Sequence, residues 1–202
     1  MDEQEFASLT GVSRETLDRL SRYVALLKKW QKAINLVSNT TLTDVWRRHM
    51  LDSYQILKHA PKDGKVWMDF GSGAGFPALV VAICSDYEVH VVESDQRKCQ
   101  FMREVSRETS ANITVHNCRI EELEGLKADV ISARALASLE KLFEYCVPFS
   151  SSNSRFLFLK GQDVDAELTN AAKCWNIESI KHQSLSSEEG CILECRNVRP
   201  LD

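Results

Sequence analysis

The chain has 202 residues, enough for one sizeable domain and an appendage. Its 44% hydrophobic and 27% charged residues are ordinary for a globular protein, with no apolar run near the roughly 18 residues of a membrane span. The net charge of −4 excludes a globally basic nucleic-acid binder, but residues 14–60 hold nine Lys/Arg against four Asp/Glu, a candidate phosphate-contacting segment.

The start, "MDEQEFASLT", lacks the basic region and apolar core of a signal peptide, so a cytoplasmic location is expected. Ser13 is placed to cap a helix running to about Lys32, with Leu17, Leu20, Val24 and Leu27 on its buried face. Thr43 or Asp44 opens a second helix reaching about His59, with Arg47, Arg48 and His49 clustered near its start. Pro61-Lys62-Asp63-Gly64 then reads as a turn, setting a helical extension (residues 1–60) apart from the body (residues 61–202).

From there strands and helices alternate. Strands are expected at Val66–Phe70, Glu88–Glu93, Ile113–Asn117, Asp129–Ser132 and Arg155–Lys160. Helices are expected at Phe76–Cys84, Asp95–Thr109, Leu136–Cys146 and Val164–Trp175. Two closing strands, Ile177–His182 and Cys191–Arg196, form a hairpin whose members run antiparallel. The pattern is α/β: a mostly parallel sheet covered by helices. The seven cysteines are odd in number and show no C-x-x-C pair, so buried thiols are expected and no metal site.

"DFGSGAGFP", Asp69 to Pro77, sits where strand passes to helix. A dinucleotide fingerprint has its third glycine three positions after the second, where this chain has Phe76. A carboxylate at Asp69 would repel a pyrophosphate but suits the amino group of S-adenosylmethionine. Glu93 ends the second strand, 22 residues after Gly71, placed for ribose hydroxyls. Gly73 lets the backbone pass close to the ligand. Ile120 is positioned to cover an adenine face, and the backbone near Glu121 to read its edge. The fourth strand lacks the proline motif of adenine-N6 and cytosine-N4 methyltransferases, and no proline precedes a cysteine as in cytosine-C5 enzymes. Arg134 and Lys160, near the ends of the fourth and fifth strands, suit an anionic or electron-rich substrate such as RNA. On these residues an NAD-dependent oxidoreductase, a methyltransferase of a small molecule or protein, and a non-catalytic RNA-binding protein all stay open.

The ordered run "RRHMLDS", "DFGSGAGFP", "ESDQRKCQFM", "CRIEEL", "SARALASL" and "FLKG", with Trp30, Asn35 and Leu36 before it, closely resembles the RsmG (GidB) family of bacterial 16S ribosomal RNA methyltransferases. The resemblance covers roughly residues 20–195. It implies a Rossmann-like class I methyltransferase fold, with a seven-stranded sheet, an antiparallel final strand and an N-terminal helical extension. It implies S-adenosylmethionine as donor and N7 of one guanine, in a conserved 16S loop near the decoding site, as acceptor. It implies cofactor contacts at Gly71, Phe76, Ile120, Glu121 and Arg134, beside Asp69, Gly73 and Glu93 from the reading above. RNA contacts fall on Arg97, Arg134 and Lys160, with Arg47 and Arg48 added from the basic segment. The partner is 16S rRNA or the small subunit, and the expected state is a monomer away from membranes. Ala78 stands where the family usually has Gly after the loop proline, Arg97-Lys98 reverses its usual K-R, and "NLVS" replaces the commoner "NLT". Guanine N7 carries a lone pair and no proton, so no general base is expected.

Overall fold

The computed structural model describes residues 1–201. Seven strands form one sheet: β1 (Val66–Phe70), β2 (Glu88–Val92), β3 (Ile113–His116), β4 (Val130–Arg134), β5 (Arg155–Lys160), β6 (Trp175–Gln183) and β7 (Cys191–Pro200), in the order 3-2-1-4-5-7-6. The pairs among β1 to β5 are parallel, whereas β7 runs antiparallel to both β5 and β6. This is the Rossmann-like methyltransferase arrangement. The order reverses between β1 and β4, and in open α/β sheets ligands bind beyond the carboxyl ends of strands at such a point.

Side chains alternate across each strand, so the sheet has two different faces. Trp67, Val89, Val91, Val130 and Leu157 point into a core shared with α2 (Arg14–Trp30), α5 (Ala78–Cys84) and α6 (Gln96–Thr109). Met68, Phe70, Ile131, Phe156 and Phe158 point the other way, toward α7 (Leu139–Cys146) and α8 (Val164–Ala171). Helix α2 is capped by Ser13, whose Oγ accepts from Thr16 N at 3.1 Å, and buries Leu17, Leu20, Tyr23, Val24 and Leu27. Its apolar face thus joins the same core as the sheet. Arg19 adds polar links, donating to the carbonyls of Thr109 (2.7 Å), Ile83 (3.2 Å) and Ser110 (3.2 Å) at the carboxyl ends of α5 and α6.

The structure departs from expectation chiefly in the following places, besides small shifts at element ends such as β7, which runs on to Pro200. A first helix, α1 (Glu3–Thr10), opens on a capping box between Asp2 and Glu5 and buries Phe6 completely. After a short α3 (Asn39–Leu42), the expected single helix over 43–59 is three windings. A π-helical segment, Trp46–Leu51, passes into α4 (Asp52–Tyr54) and a 3-10 turn, Gln55–His59. The wide π turn lets consecutive His49, Met50 and Leu51 all be buried, which a regular amphipathic helix does not do. Strand β4 runs two residues beyond Ser132 to Arg134, and α8 stops at Ala171 because Trp175 already belongs to β6. Among the described residues no helix is long and apolar enough to cross a membrane.

Candidate functional site

The loop after β1 folds back on itself through three glycines with positive φ: Gly71 (+64°), Gly73 (+57°) and Gly75 (+89°). A side chain at Gly71 would place its Cβ 2.5 Å from Leu136 Cδ1, and one at Gly75 would lie 2.3 Å from Leu79 Cδ1. Gly73 differs, because a Cβ there meets no heavy atom nearer than 4.0 Å and only its backbone angle requires glycine. The loop is held from the far side by α2: Tyr23, fully buried, donates its hydroxyl to Ala74 O at 2.5 Å and stacks on Phe76 with ring centroids 5.0 Å apart.

A cleft of about 300 Å³ opens beyond β1, β2 and β3. Gly71, Gly73, Glu93, Ile120, Glu121, Leu136 and Tyr145 line it, with Leu136 against Gly71 and Tyr145 hydrogen-bonded to Glu121. One Glu93 oxygen accepts from Gly73 N (3.0 Å) and the other from Asp95 N (2.9 Å). Each carboxylate oxygen keeps a free acceptor position, which suits a pair of vicinal hydroxyls. Half-buried Ile120 and exposed Leu136 supply apolar surface of the kind a purine needs. The cleft therefore fits the adenosine part of S-adenosylmethionine: bare backbone, a ribose-competent acid and an apolar wall.

Three residues expected at the cofactor do not line this cleft. Asp69 is fully buried beneath the loop, accepting from the Ser72 hydroxyl on one oxygen and from Ser132 Oγ (2.5 Å) on the other. The alternation of β1 turns it to the same face as Trp67, whose Nε1 donates to Ser132 Oγ at 2.8 Å. Burial pushes its carboxyl up to about 7, only partly offset by the two serines and Arg134. Asp69 is thus a buried brace of the loop and does not line the cleft. Phe76 is 2% exposed and sits between the rings of Tyr23 and His49 (4.8 Å), again underneath. Arg134 lines a neighbouring cleft, with its guanidinium carbon 5.1 Å from the Phe76 ring centroid.

That second cleft, about 660 Å³, lies beyond β4 and β5. Arg48, His49 and Asp52 line it from the π-helical turn and α4, Arg134 and Lys160 from the sheet, and the 184–191 turn from the far side. Arg134 donates to Asp52 Oδ2 (3.3 Å) and His49 Nδ1 (3.2 Å). A guanidinium can only donate, so His49 accepts at Nδ1 and its proton sits on Nε2, facing Thr41 Oγ1 at 2.9 Å. Burial, Arg134 and Arg48 lower the His49 pKa to about 3, so the ring is neutral.

The basic residues expected at RNA divide in the same way. Arg47 and Arg48 are exposed, Arg47 lying 3.8 Å from Asp44, while Arg97 stands exposed on a shallow rim beside Arg119. Lys160 is committed: its Nζ donates to Glu167 Oε2 (2.7 Å) and Ala137 O (3.0 Å), and its side chain is 10% exposed. Glu167 also accepts from Leu139 N at the start of α7, so Lys160 ties α7 to α8 more than it offers a free cation. Leu136, Tyr145, Asp52 and Ser186 were not singled out in the sequence. Leu136 stands inside the quoted "SARALASL" and Asp52 inside "RRHMLDS", so both could have been found there; Tyr145 and Ser186 carry no local signal.

Away from these clefts, His59, His182 and Glu194 bring ligating atoms within 4.8 Å of one another. Arg196 (2.5 Å) and Arg155 (3.9 Å) already crowd the Glu194 carboxylate, which makes poor ground for a divalent cation.

A family model, rRNA small subunit methyltransferase G (GidB), matches residues 16–197. The chain belongs to this family. A ribosomal RNA small subunit methyltransferase G from Parvibaculum lavamentivorans is 50% identical, covering 100% of this chain and 92% of that one. One from Paramagnetospirillum magneticum is 48% identical over 98% of this chain and 97% of the relative. Among solved structures, a ribosomal protein L11 methylase from Lactobacillus delbrueckii subsp. bulgaricus superposes with a TM-score of 0.60 at 15% identity, covering 71% of this chain and 75% of that one. The glycopeptide N-methyltransferase MtfA, complexed with S-adenosylmethionine, gives 0.60 at 9% identity, covering 73% and 93%. These two share the fold. Family membership and fold together remove the oxidoreductase alternative.

Proposed function

We propose that this protein transfers a methyl group from S-adenosylmethionine to N7 of one guanine in 16S rRNA, in a loop near the decoding site. The observation that carries the reading is the juxtaposition of two clefts at the carboxyl edge of the sheet, in a chain of the rRNA small subunit methyltransferase G family. The first cleft has the Gly71–Gly73 backbone and the Glu93 carboxylate of a nucleoside site. The second has exposed Arg48 and half-buried Arg134 beside it.

S-adenosylmethionine, when bound, supplies an electrophilic methyl on a sulfonium. Gly71, Gly73, Glu93, Ile120, Glu121 and Leu136 are the residues placed to hold it, and Asp69, Phe76 and Tyr23 hold the loop from below. The chain's other task is to position the acceptor. Guanine N7 presents an in-plane lone pair and needs no deprotonation, so the second cleft does not require a base. Neutral His49 also adds no positive charge while the purine acquires one. Arg47, Arg48, Arg97 and Arg119 supply exposed cations for phosphates around the target. The 1–60 extension, packed on the 61–202 catalytic unit, contributes the acceptor-facing wall of the second cleft, and the working form is a monomer in the cytoplasm acting on 16S rRNA or the small subunit.

Mapping methyl groups on 16S RNA from cells with and without the protein tests this. The expected result is loss of a single N7-methylguanosine near the decoding site. Retention of that mark, or incorporation of labelled methyl only into metabolites or proteins, overturns it.

A further inference from the structure

The "RRHMLDS" stretch contributes more to the second cleft than basic charge. Its π-helical turn brings Arg48, His49 and Asp52 to one side, and Asp52 stands at the centre of a buried polar chain. One oxygen of Asp52 accepts from Arg134 Nη1 (3.3 Å). The other accepts from Ser186 Oγ (2.5 Å) and Gln55 Nε2 (3.2 Å). Gln55 reaches on to the same turn, donating to Ser184 Oγ (3.0 Å) and accepting from Leu185 N (2.7 Å). Asp52 is one-fifth exposed and Arg134 is too, so the pair is largely withdrawn from water yet opens on the cleft.

We infer that Asp52 is a positioning residue for methyl transfer: it aims Arg134 at the boundary between the two clefts and fixes the 184–190 turn as the wall opposite. A carboxylate is required for this. It accepts from a cation on one side and a hydroxyl on the other at once, and it balances the Arg134 charge where positive charge arises on the acceptor ring. An unbalanced guanidinium there would oppose that charge. The arrangement also explains how Arg134 serves the reaction while lying outside the donor cleft. The inference rests on the reading of the second cleft as the acceptor side.

The test compares the full-length wild type with Asp52→Asn, Ser186→Ala and Arg134→Lys, and with the Asp52→Asn/Arg134→Lys double variant. Each is assayed by labelled methyl transfer to small subunits lacking the mark and by S-adenosylmethionine binding. Asp52→Asn keeps the shape, so the chain folds, and a thermal melt checks this. The expected result is a fall in kcat of about 10- to 100-fold, since small misplacements cost that much, with donor Kd changed by less than about twofold. Ser186→Ala should lower kcat by a smaller factor in the same direction. In the Arg134→Lys background, Asp52→Asn should cost less than about threefold more, because its effect passes through the arginine. Equal activity of Asp52→Asn and wild type overturns the inference, as does the same loss with Arg134 already changed, or a loss confined to donor Kd. A wild type that transfers no methyl to any small subunit overturns the proposed function instead.

Discussion

Asp69 and His49 both feel the Arg134 guanidinium, and burial moves them in opposite senses on the pH axis. The Asp69 carboxyl, raised from 3.8 to about 7, holds its proton in the fold between those values while the unfolded chain has lost it. Its contribution to stability therefore falls as pH rises from about 4 to 7. His49, lowered from 6.5 to about 3, stays neutral in the fold while the unfolded chain is protonated, so its contribution rises from about 3 to 6.5. The two slopes largely cancel in the wild type. Asp69→Asn should expose a stability that climbs with pH across this window, and His49→Gln one that declines. Urea midpoints at half-unit pH steps measure both, and parallel profiles for all three proteins would refute the assignment. At the same scale, Gly73→Asp forces an L residue to φ near +57° and sets a second carboxylate beside Glu93, which already bonds that residue's amide. Donor affinity should fall by well over tenfold by calorimetry. The cause is backbone strain and charge, since no protein atom crowds a Cβ there.

At the scale of elements, the glycine loop depends on a helix outside the Rossmann-like unit. Tyr23 is fully buried, and its hydroxyl serves Ala74 O. Tyr23→Phe should leave that carbonyl unpaired and cost about 1–3 kcal/mol in unfolding free energy, with weaker donor binding because the loop is less ordered. An unchanged donor Kd at reduced stability would mean the loop holds itself. The elements were largely legible in sequence. β1 and β5 start and stop on the expected residues, because short apolar runs bounded by turns leave little choice. The "MDEQE" start also carried the Asp2–Glu5 capping signal of α1. The π winding over Trp46–Leu51 had no such signal: tertiary packing sets it, by burying three successive side chains. The candidate donor cleft was legible where backbone mattered. Gly71, Gly73, Glu93, Ile120 and Glu121 share one cleft because strand ends and loop order place them there. Spacing could not say which way a strand-end side chain turns, so Asp69 read as a ligand contact, and the resemblance placed Phe76 there too, although both lie beneath the loop. Nor could it pair Asp52 with Ser186, 134 positions apart.

At the scale of the molecule, the basic segment and the acidic body together line the second cleft. If Arg48 contacts phosphate, Arg48→Ala should reduce the slope of log affinity against log salt by about one for small-subunit RNA. Lys160→Ala should leave that slope alone and lower stability, since its ammonium is already spent on Glu167 and Ala137. Equal salt slopes for wild type and Arg48→Ala would remove Arg48 from the RNA face. The extension and the sheet share one apolar core, with Leu20, Tyr23 and Leu27 beside Phe76, Leu79 and Phe101. A fragment of residues 61–202 should therefore show no cooperative melt.

Gln55 clasps Ser184 and Leu185 across about 130 positions of chain. During synthesis the glycine loop and the Glu93 strand emerge well before that turn does. The residues of the donor cleft are thus all synthesised before the wall opposite Arg134 is made. A chain cut short before residue 184 would lack both that wall and β7, the strand that joins β6 to β5.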